Sequence, residues 1–153
     1  MSEDSLTDIR KKIAKYCAYR ERCSKEVQEK LSQLGATPKQ EALLIKWLKE
    51  EKYLDNSRFA VAFVRGKFSN NHWGKQRLSL ELKARNIDQQ DIRKALEEIN
   101  TNDYLSIIEK LARKKWGEIK ETDRYKKEQK TIAFLVGKGY EMETAWDTVK
   151  KMQ

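Results

Sequence analysis

The residues best suited to chemistry in this sequence are cations concentrated between positions 58 and 85. This stretch carries seven Lys/Arg and one Asp/Glu, so it supplies a net charge of +6 out of +9 for the whole chain of 153 residues. The cations are Arg58, Arg65, Lys67, Lys75, Arg77, Lys83 and Arg85, and the acid is Glu81. Guanidinium and ammonium groups bind phosphates and carboxylates through charge-assisted hydrogen bonds. The stretch therefore predicts a surface that binds nucleic acid or acidic protein.

A tryptophan and the only histidine lie within the same basic stretch. Trp73 follows a polar run at residues 69–72, where an indole suits either packing or stacking on a base. The other three tryptophans are interpreted as core or inter-unit packing, and Trp73 as the strongest exception. His72 has no nucleophile or carboxylate pair at a meaningful spacing, so it is predicted at the surface or at a junction.

Residue types that would support catalysis or metal binding are scarce. Cys17 and Cys23 are the only cysteines, and with a single histidine they offer no zinc-binding set and no disulfide framework. The sequence also lacks the glycine-rich phosphate loop that ends in Gly-Lys-Ser/Thr. We therefore expect no enzyme activity, no metal and no cofactor, with both cysteines reduced and buried as small apolar side chains.

The overall charge and hydropathy indicate where the protein acts. A net charge of +9 and a pI near 9.5 favour an anionic partner, although a basic surface that only aids solubility is the alternative. No run approaches the ~20 apolar residues that span a bilayer, and the first residues have no signal-peptide pattern. A cytoplasmic protein without membrane contact is expected.

Helices must position these groups, because the composition is rich in helix-forming residues and has one proline. Ile9, Ile13 and Cys17 have the spacing of one helix face, which predicts a first helix over residues 8–20 capped by Ser5 or Thr7. Ser24 is predicted to cap a second helix. Thr37, followed by proline and then by glutamine at the capping-box position, is predicted to cap a third.

The helical pattern then occurs twice more, which predicts three repeats. Gly35, Asn86 and Gly139 each follow a helix at spacings of 51 and 53 residues, and both residue types tolerate a left-handed backbone. A leucine lies four residues before each, and Ala36, Ile87 or Tyr140 follows, as in a Schellman motif. We predict an all-α, elongated and curved array of three helix-turn-helix-like units at residues 1–52, 53–100 and 101–153.

The central unit carries a distinctive set of short motifs: Tyr53-Leu54-Asp55, Arg58-Phe59-Ala60, Phe63-Val64, Lys67, Trp73-Gly74 and Glu81-Leu82. With these residues it resembles the RecX family of bacterial proteins, which modulate the RecA recombinase. The flanking units match the family's tandem three-helix build, and Asn86 stands where the family often has glycine. The resemblance implies a monomeric regulator of recombination and DNA repair that binds RecA filaments on single-stranded DNA and inhibits ATP hydrolysis, strand exchange and filament extension.

Two other functions are compatible with the residues alone. One is a stand-alone helix-turn-helix protein that binds duplex DNA, and the other is a helical interaction module whose charge only aids solubility. Lys75, Arg77, Lys83 and Arg85 scatter around a helix rather than forming one stripe, so some of them are expected to pack or pair. The candidate contacts to RecA or nucleic acid are Arg58, Arg65, Lys67, Trp73, Lys75, Arg77, Lys83 and Arg85.

Overall fold

The computed structural model describes residues 3–152, and this part of the chain is all-α, as predicted. It forms nine helices with no strand: α1 (Glu3–Tyr19), α2 (Ser24–Gln33), α3 (Pro38–Glu50), α4 (Asn56–Asn71), α5 (Lys75–Ala84), α6 (Gln89–Glu97), α7 (Thr101–Glu118), α8 (Arg124–Gly137) and α9 (Met142–Lys150). None of these helices has both the length and the apolar character to cross a membrane.

Of the three predicted helix starts, the one at Thr37 is confirmed and the other two are wrong. Thr37 accepts a hydrogen bond from the backbone N–H of Gln40 at the start of α3, as its capping box predicts. The second helix is capped by Cys23 rather than Ser24, because the Glu26 carboxylate accepts the backbone N–H of Cys23 and draws the helix start one residue back. Helix α1 begins at Glu3, so both Ser5 and Thr7 lie inside it and neither caps it as predicted.

The three predicted helix breaks are confirmed in their backbone geometry. Gly35, Asn86 and Gly139 have φ angles of 87°, 60° and 102°. In each case the N–H two residues past the helical C-cap donates to the carbonyl of the preceding leucine: Ala36 to Leu31 at 3.0 Å, and Ile87 to Leu82 and Tyr140 to Leu135 both at 3.1 Å. These are Schellman bonds, and they satisfy carbonyls that the helix end leaves unpaired.

The helices form three triplets, α1–α3, α4–α6 and α7–α9. Among residues 3–152, every helix pair that packs closely lies within one triplet. The first triplet has its own core around Ile13, Val27, Leu31 and Leu48. The second and third share one continuous core, which Cys23 also joins from the first triplet. The boundaries at 52/53 and 100/101 remain predictions.

The tryptophans pack largely as predicted, with one correction. Trp47, Trp73 and Trp116 are half-buried against the cores. Trp146 is the most exposed, with 49% of its surface accessible, so it and not Trp73 is the exception to core packing. Its position on α9 is one turn after Met142, on the outer side of the third triplet.

Candidate functional site

The seven cations of the basic stretch separate into two groups by their partners. Three arginines have a carboxylate within ion-pair distance: Arg58 with Glu21, Arg65 with Glu98 and Arg85 with Glu81. The other four have no ion-pair partner among residues 3–152. These four are Lys67, Lys75, Arg77 and Lys83. Within residues 3–152, the cations of the second group therefore have no carboxylate that competes with an external anion.

Arg58 joins the first triplet to the second. Its Nε donates to the Glu21 carboxylate, and its Nη2 donates to the carbonyl oxygens of Lys52 and Tyr53 at 3.1 and 3.4 Å. The hydrogen bond that Arg58 donates to Glu21 raises the pKa of its guanidinium group. These contacts hold Arg58 between the first and second triplets.

Arg65 and Arg85 are paired within the second triplet. The Arg65–Glu98 pair spans 3.2 Å, but both side chains are exposed, at 68% and 44%, so water and salt screen it. Arg85 donates to the carbonyl and the carboxylate of Glu81 at 2.9 and 3.0 Å. Its guanidinium carbon also lies 4.8 Å from the centre of the Phe63 ring.

Two unpaired cations flank Trp73 and form, with it, the Trp73 cluster of Lys67, Trp73 and Arg77. The guanidinium carbon of Arg77 is 4.0 Å from the centre of the indole, and Lys67 Nζ is 5.1 Å from it. A stacked guanidinium keeps its N–H edge free for phosphate or carboxylate. Trp73 thus holds cations in place, and Arg77 covers a ring surface that a base would need.

The remaining two cations lie on the same helix as Arg77. Lys75 Nζ is 4.8 Å from the centre of the Tyr104 ring, which fixes this side chain beside the third triplet. Lys83 is exposed in the last turn of α5. A cation at this end of a helix interacts favourably with the helix dipole, and its head remains in solvent.

The third triplet caps the helix that carries Arg77. Helix α5 has glycine at its N-cap and no side-chain cap. Its first N–H groups instead donate across the joint: Gly74 to the carbonyl of Lys138 at 2.9 Å, Lys75 to the Tyr104 hydroxyl at 2.9 Å, and Gln76 to the carbonyl of Gly139 at 2.9 Å. Because α8 ends where α5 begins, the opposed ends of the two helix dipoles also attract.

This joint depends on two glycines that allow the backbones to touch. A Cβ added at Gly74 would lie 2.4 Å from the carbonyl carbon and oxygen of Gly139, and one added at Gly139 would lie 2.3 Å from the Cβ of Arg77. Neither position has room for a side chain. The position of Arg77 at the surface is therefore set by its packing on the third triplet.

Buried tyrosines complete the joint between the second and third triplets. The Tyr104 hydroxyl donates to the Glu141 carboxylate, and the Tyr140 hydroxyl donates to the carbonyl of His72 at 2.8 Å. Burial raises the pKa of both phenols, and the hydrogen bond to Glu141 adds to the increase in the pKa of Tyr104. His72 itself has a left-handed backbone at the end of α4, so it lies at a junction, as predicted.

The sequence-based reasoning missed the residues of this joint. It identified neither Tyr104 nor Glu141 as a partner across the joint. Two signals were available: a glycine where α5 needs an N-cap oxygen, and tyrosines at core positions whose hydroxyls require partners. Within residues 3–152, no group of three or more His, Cys, Asp or Glu side chains is arranged to bind a metal.

Comparison with known proteins agrees with this architecture. A family model described as RecX, second three-helix domain, matches residues 55–96, and one described as RecX, third three-helix domain, matches residues 102–149. The proteins named regulatory protein RecX from Bacillus licheniformis and Oceanobacillus iheyensis are 32% and 29% identical over 85% and 82% of this chain. The chain spans about half of their length, 49% and 46% respectively.

Another relative and a solved structure match over most of their length. The regulatory protein RecX of an Escherichia coli O7:K1 strain is 28% identical over 146 residues, which cover 89% of this chain and 86% of that protein. The crystal structure of RecX from Lactobacillus salivarius has a TM-score of 0.88 at 20% identity and covers 99% of this chain and 98% of its own. At that identity the structural match establishes the fold.

Proposed function

The chain belongs to the RecX family, and we propose that it regulates the RecA recombinase by binding RecA filaments assembled on single-stranded DNA. The observation that carries this proposal is the match of both RecX domain models, which together cover residues 55–96 and 102–149. The relatives bear the name regulatory protein RecX, which supports a regulatory role. Bound in the groove of the filament, the protein would lower ATP hydrolysis, strand exchange and filament extension.

The unpaired cations are the proposed contacts to nucleic acid or to acidic protein. Lys67 and Arg77 are fixed by Trp73, and Lys75 and Lys83 lie on the same helix as Arg77. Phosphate contacts of this kind are largely independent of base sequence and weaken as salt rises. The proposed site is therefore narrower than the eight residues expected from the sequence, because Arg58, Arg65 and Arg85 each have a carboxylate partner.

The first test is the effect of the purified chain on RecA. The steady-state ATPase of RecA on single-stranded DNA is measured while the chain is titrated to stoichiometric amounts. We expect the rate to fall as the chain is added. An unchanged rate at stoichiometry would reject the proposed function.

The second test compares two triple variants that lose the same charge. The first is Lys67→Gln, Arg77→Gln and Lys83→Gln; the control is Lys11→Gln, Lys46→Gln and Lys110→Gln, three exposed lysines outside the basic stretch. The affinity of each variant for single-stranded DNA is measured over a range of salt concentrations. The slope of log affinity against log salt becomes shallower by about 0.7 for each lost phosphate contact, so the slope of the first variant should be shallower by about 2. An equal change of slope in both variants would show that binding depends on net charge alone.

A third measurement separates this function from sequence-specific recognition of duplex DNA. The affinity of the chain is compared for several unrelated duplexes and for single strands at one salt concentration. The proposed function predicts similar, salt-sensitive values for all duplexes. Specific sites on DNA bind at least roughly 10³-fold more tightly than non-specific DNA. An affinity for one duplex that exceeds the others by this factor would support the helix-turn-helix alternative.

A further inference from the structure

An apolar surface lies beside Arg77, on the outside of the joint between the second and third triplets. Its aliphatic members are Leu80 on α5, Val136 on α8 and Met142 on α9, with 65%, 36% and 61% of their surface exposed. They line a groove of about 430 Å³ with Gln76, Arg77 and Tyr140. We call these three aliphatic residues and their groove the joint groove.

Direct backbone contacts form the floor of the joint groove. Gly137 and Gly139 line it without side chains, and Gly139 contacts the backbone of α5 directly. The two backbone hydrogen bonds from α5 to the end of α8 hold its walls together. A partner that enters the groove would therefore meet a preformed surface, which reduces the entropy lost on binding.

Two unpaired cations lie beside Leu80 on α5. Arg77 is three residues before Leu80 and Lys83 three residues after it, so each neighbours Leu80 on the outward half of the helix, about 120° apart around its axis. Neither cation has an ion-pair partner among residues 3–152, whereas the adjacent Glu81 is bound by Arg85. On the outward half of α5, Leu80 thus lies between the cations Arg77 and Lys83.

We propose that the joint groove docks a protein segment that inserts an apolar side chain between Leu80, Val136 and Met142 and presents carboxylates to Arg77 and Lys83. This inference rests on the proposed function, and within it the segment belongs to the protein of the filament. Nucleic acid is the poorer fit, because phosphates and sugars bind to charged and polar groups and gain nothing from exposed aliphatic side chains. On the filament the groove thus fits protein better than DNA, whereas DNA without RecA can still contact Arg77 and Lys83.

A Leu80→Lys variant distinguishes the two partners by the direction of its effect. Lysine is a good helix former, and Leu80 is largely exposed, so the fold should persist, as circular dichroism can verify. Binding is measured twice, to RecA filaments on single-stranded DNA by co-sedimentation and to single-stranded DNA alone by fluorescence anisotropy. A protein contact predicts filament binding about tenfold weaker, with DNA binding unchanged or slightly tighter.

The matched control is Leu43→Lys on α3, where the leucine is 59% exposed and far along the chain from the joint groove. It should bind filaments like the unmodified chain. Filament binding that is unchanged or tighter in Leu80→Lys, a parallel loss of DNA binding, or an equal loss in Leu43→Lys would each overturn the docking proposal. If the unmodified chain does not bind filaments at all, the proposed function fails and the docking proposal fails with it.

Discussion

Replacing Gly74 with alanine should disrupt the joint between the second and third triplets. The added Cβ would lie 2.4 Å from the carbonyl atoms of Gly139 and from the nitrogen of Tyr140. All of these are backbone atoms, so no flexible side chain can move aside. The α5 N-terminus must therefore separate from the end of α8, and the hydrogen bonds from Gly74 to Lys138 and from Gln76 to Gly139 are lost.

The size of the effect follows from what the joint holds together. Two hydrogen bonds contribute about 1 kcal/mol each in net terms. An N-cap glycine is also better than an alanine by roughly 0.5–1 kcal/mol. We expect Gly74→Ala to lower the free energy of unfolding by about 3 kcal/mol in total.

Two further variants isolate the cause of this loss. Gly66→Ala, inside α4 with no atom within 4 Å of the added Cβ, should raise the free energy of unfolding by about 0.5–1 kcal/mol because alanine favours the helix. Gly74→Ser supplies a preferred N-cap oxygen but keeps the steric clash. If the close approach dominates, serine should destabilise the protein nearly as much as alanine does.

The assay is urea unfolding followed by far-ultraviolet circular dichroism, with the free energy extrapolated to water. Purified Gly74→Ala, Gly74→Ser and Gly66→Ala are compared with the unmodified chain in one buffer. A Gly74→Ala protein as stable as the unmodified chain would refute the close contact. A stabilised Gly74→Ser protein would show that only capping matters at this position.

Three other predictions concern the core, the first joint and the titratable groups. Leu82→Ala, at a fully buried site, should lower the free energy of unfolding by ~2–5 kcal/mol in urea; a stable but inactive variant would contradict its core role. A double-mutant cycle on Arg58 and Glu21 should give a coupling free energy below about 1 kcal/mol that decreases at high salt, because the Arg58 side chain is 43% exposed. A coupling free energy that persists in 1 M salt would argue against a surface pair. Burial raises the pKa of Cys17 from 9.0 to about 11 and raises that of Tyr104, so the unfolded chain loses these protons first. The free energy of unfolding should therefore decrease as the pH rises from about 9 to 11, and a constant value over that range would contradict the burial of these groups.

The helices and their breaks could be predicted from the sequence because they depend on neighbouring residues. Gly35, Asn86 and Gly139 are residue types that accept a left-handed backbone, and the leucine four positions earlier lies within the same motif. The capping box at Thr37 is equally local. The predicted start of α2 was wrong by one residue, because Ser24 is a preferred N-cap residue type and Cys23 is not, whereas the Glu26 carboxylate accepts the backbone N–H of Cys23.

The candidate site could be predicted only in part. Its composition is visible in the sequence as seven cations against one acid, and its family is visible in the central motifs. The sequence did not reveal which cations are available. Arg65 and Arg85 look equivalent to Arg77 as residue types, but only Arg77 stacks on Trp73 without a carboxylate partner among the described residues.

The sequence by itself determined the helical repeats, the left-handed breaks and the concentration of positive charge, all of which arise within a few neighbouring residues. The tertiary structure alone decided that Arg58 pairs with Glu21, that the third triplet caps α5 and that Leu80 remains exposed beside Arg77. These contacts join residues that are distant in the chain. Their partners are selected by how the triplets pack, because burial and hydrogen bonding across a joint depend on geometry that no local pattern encodes.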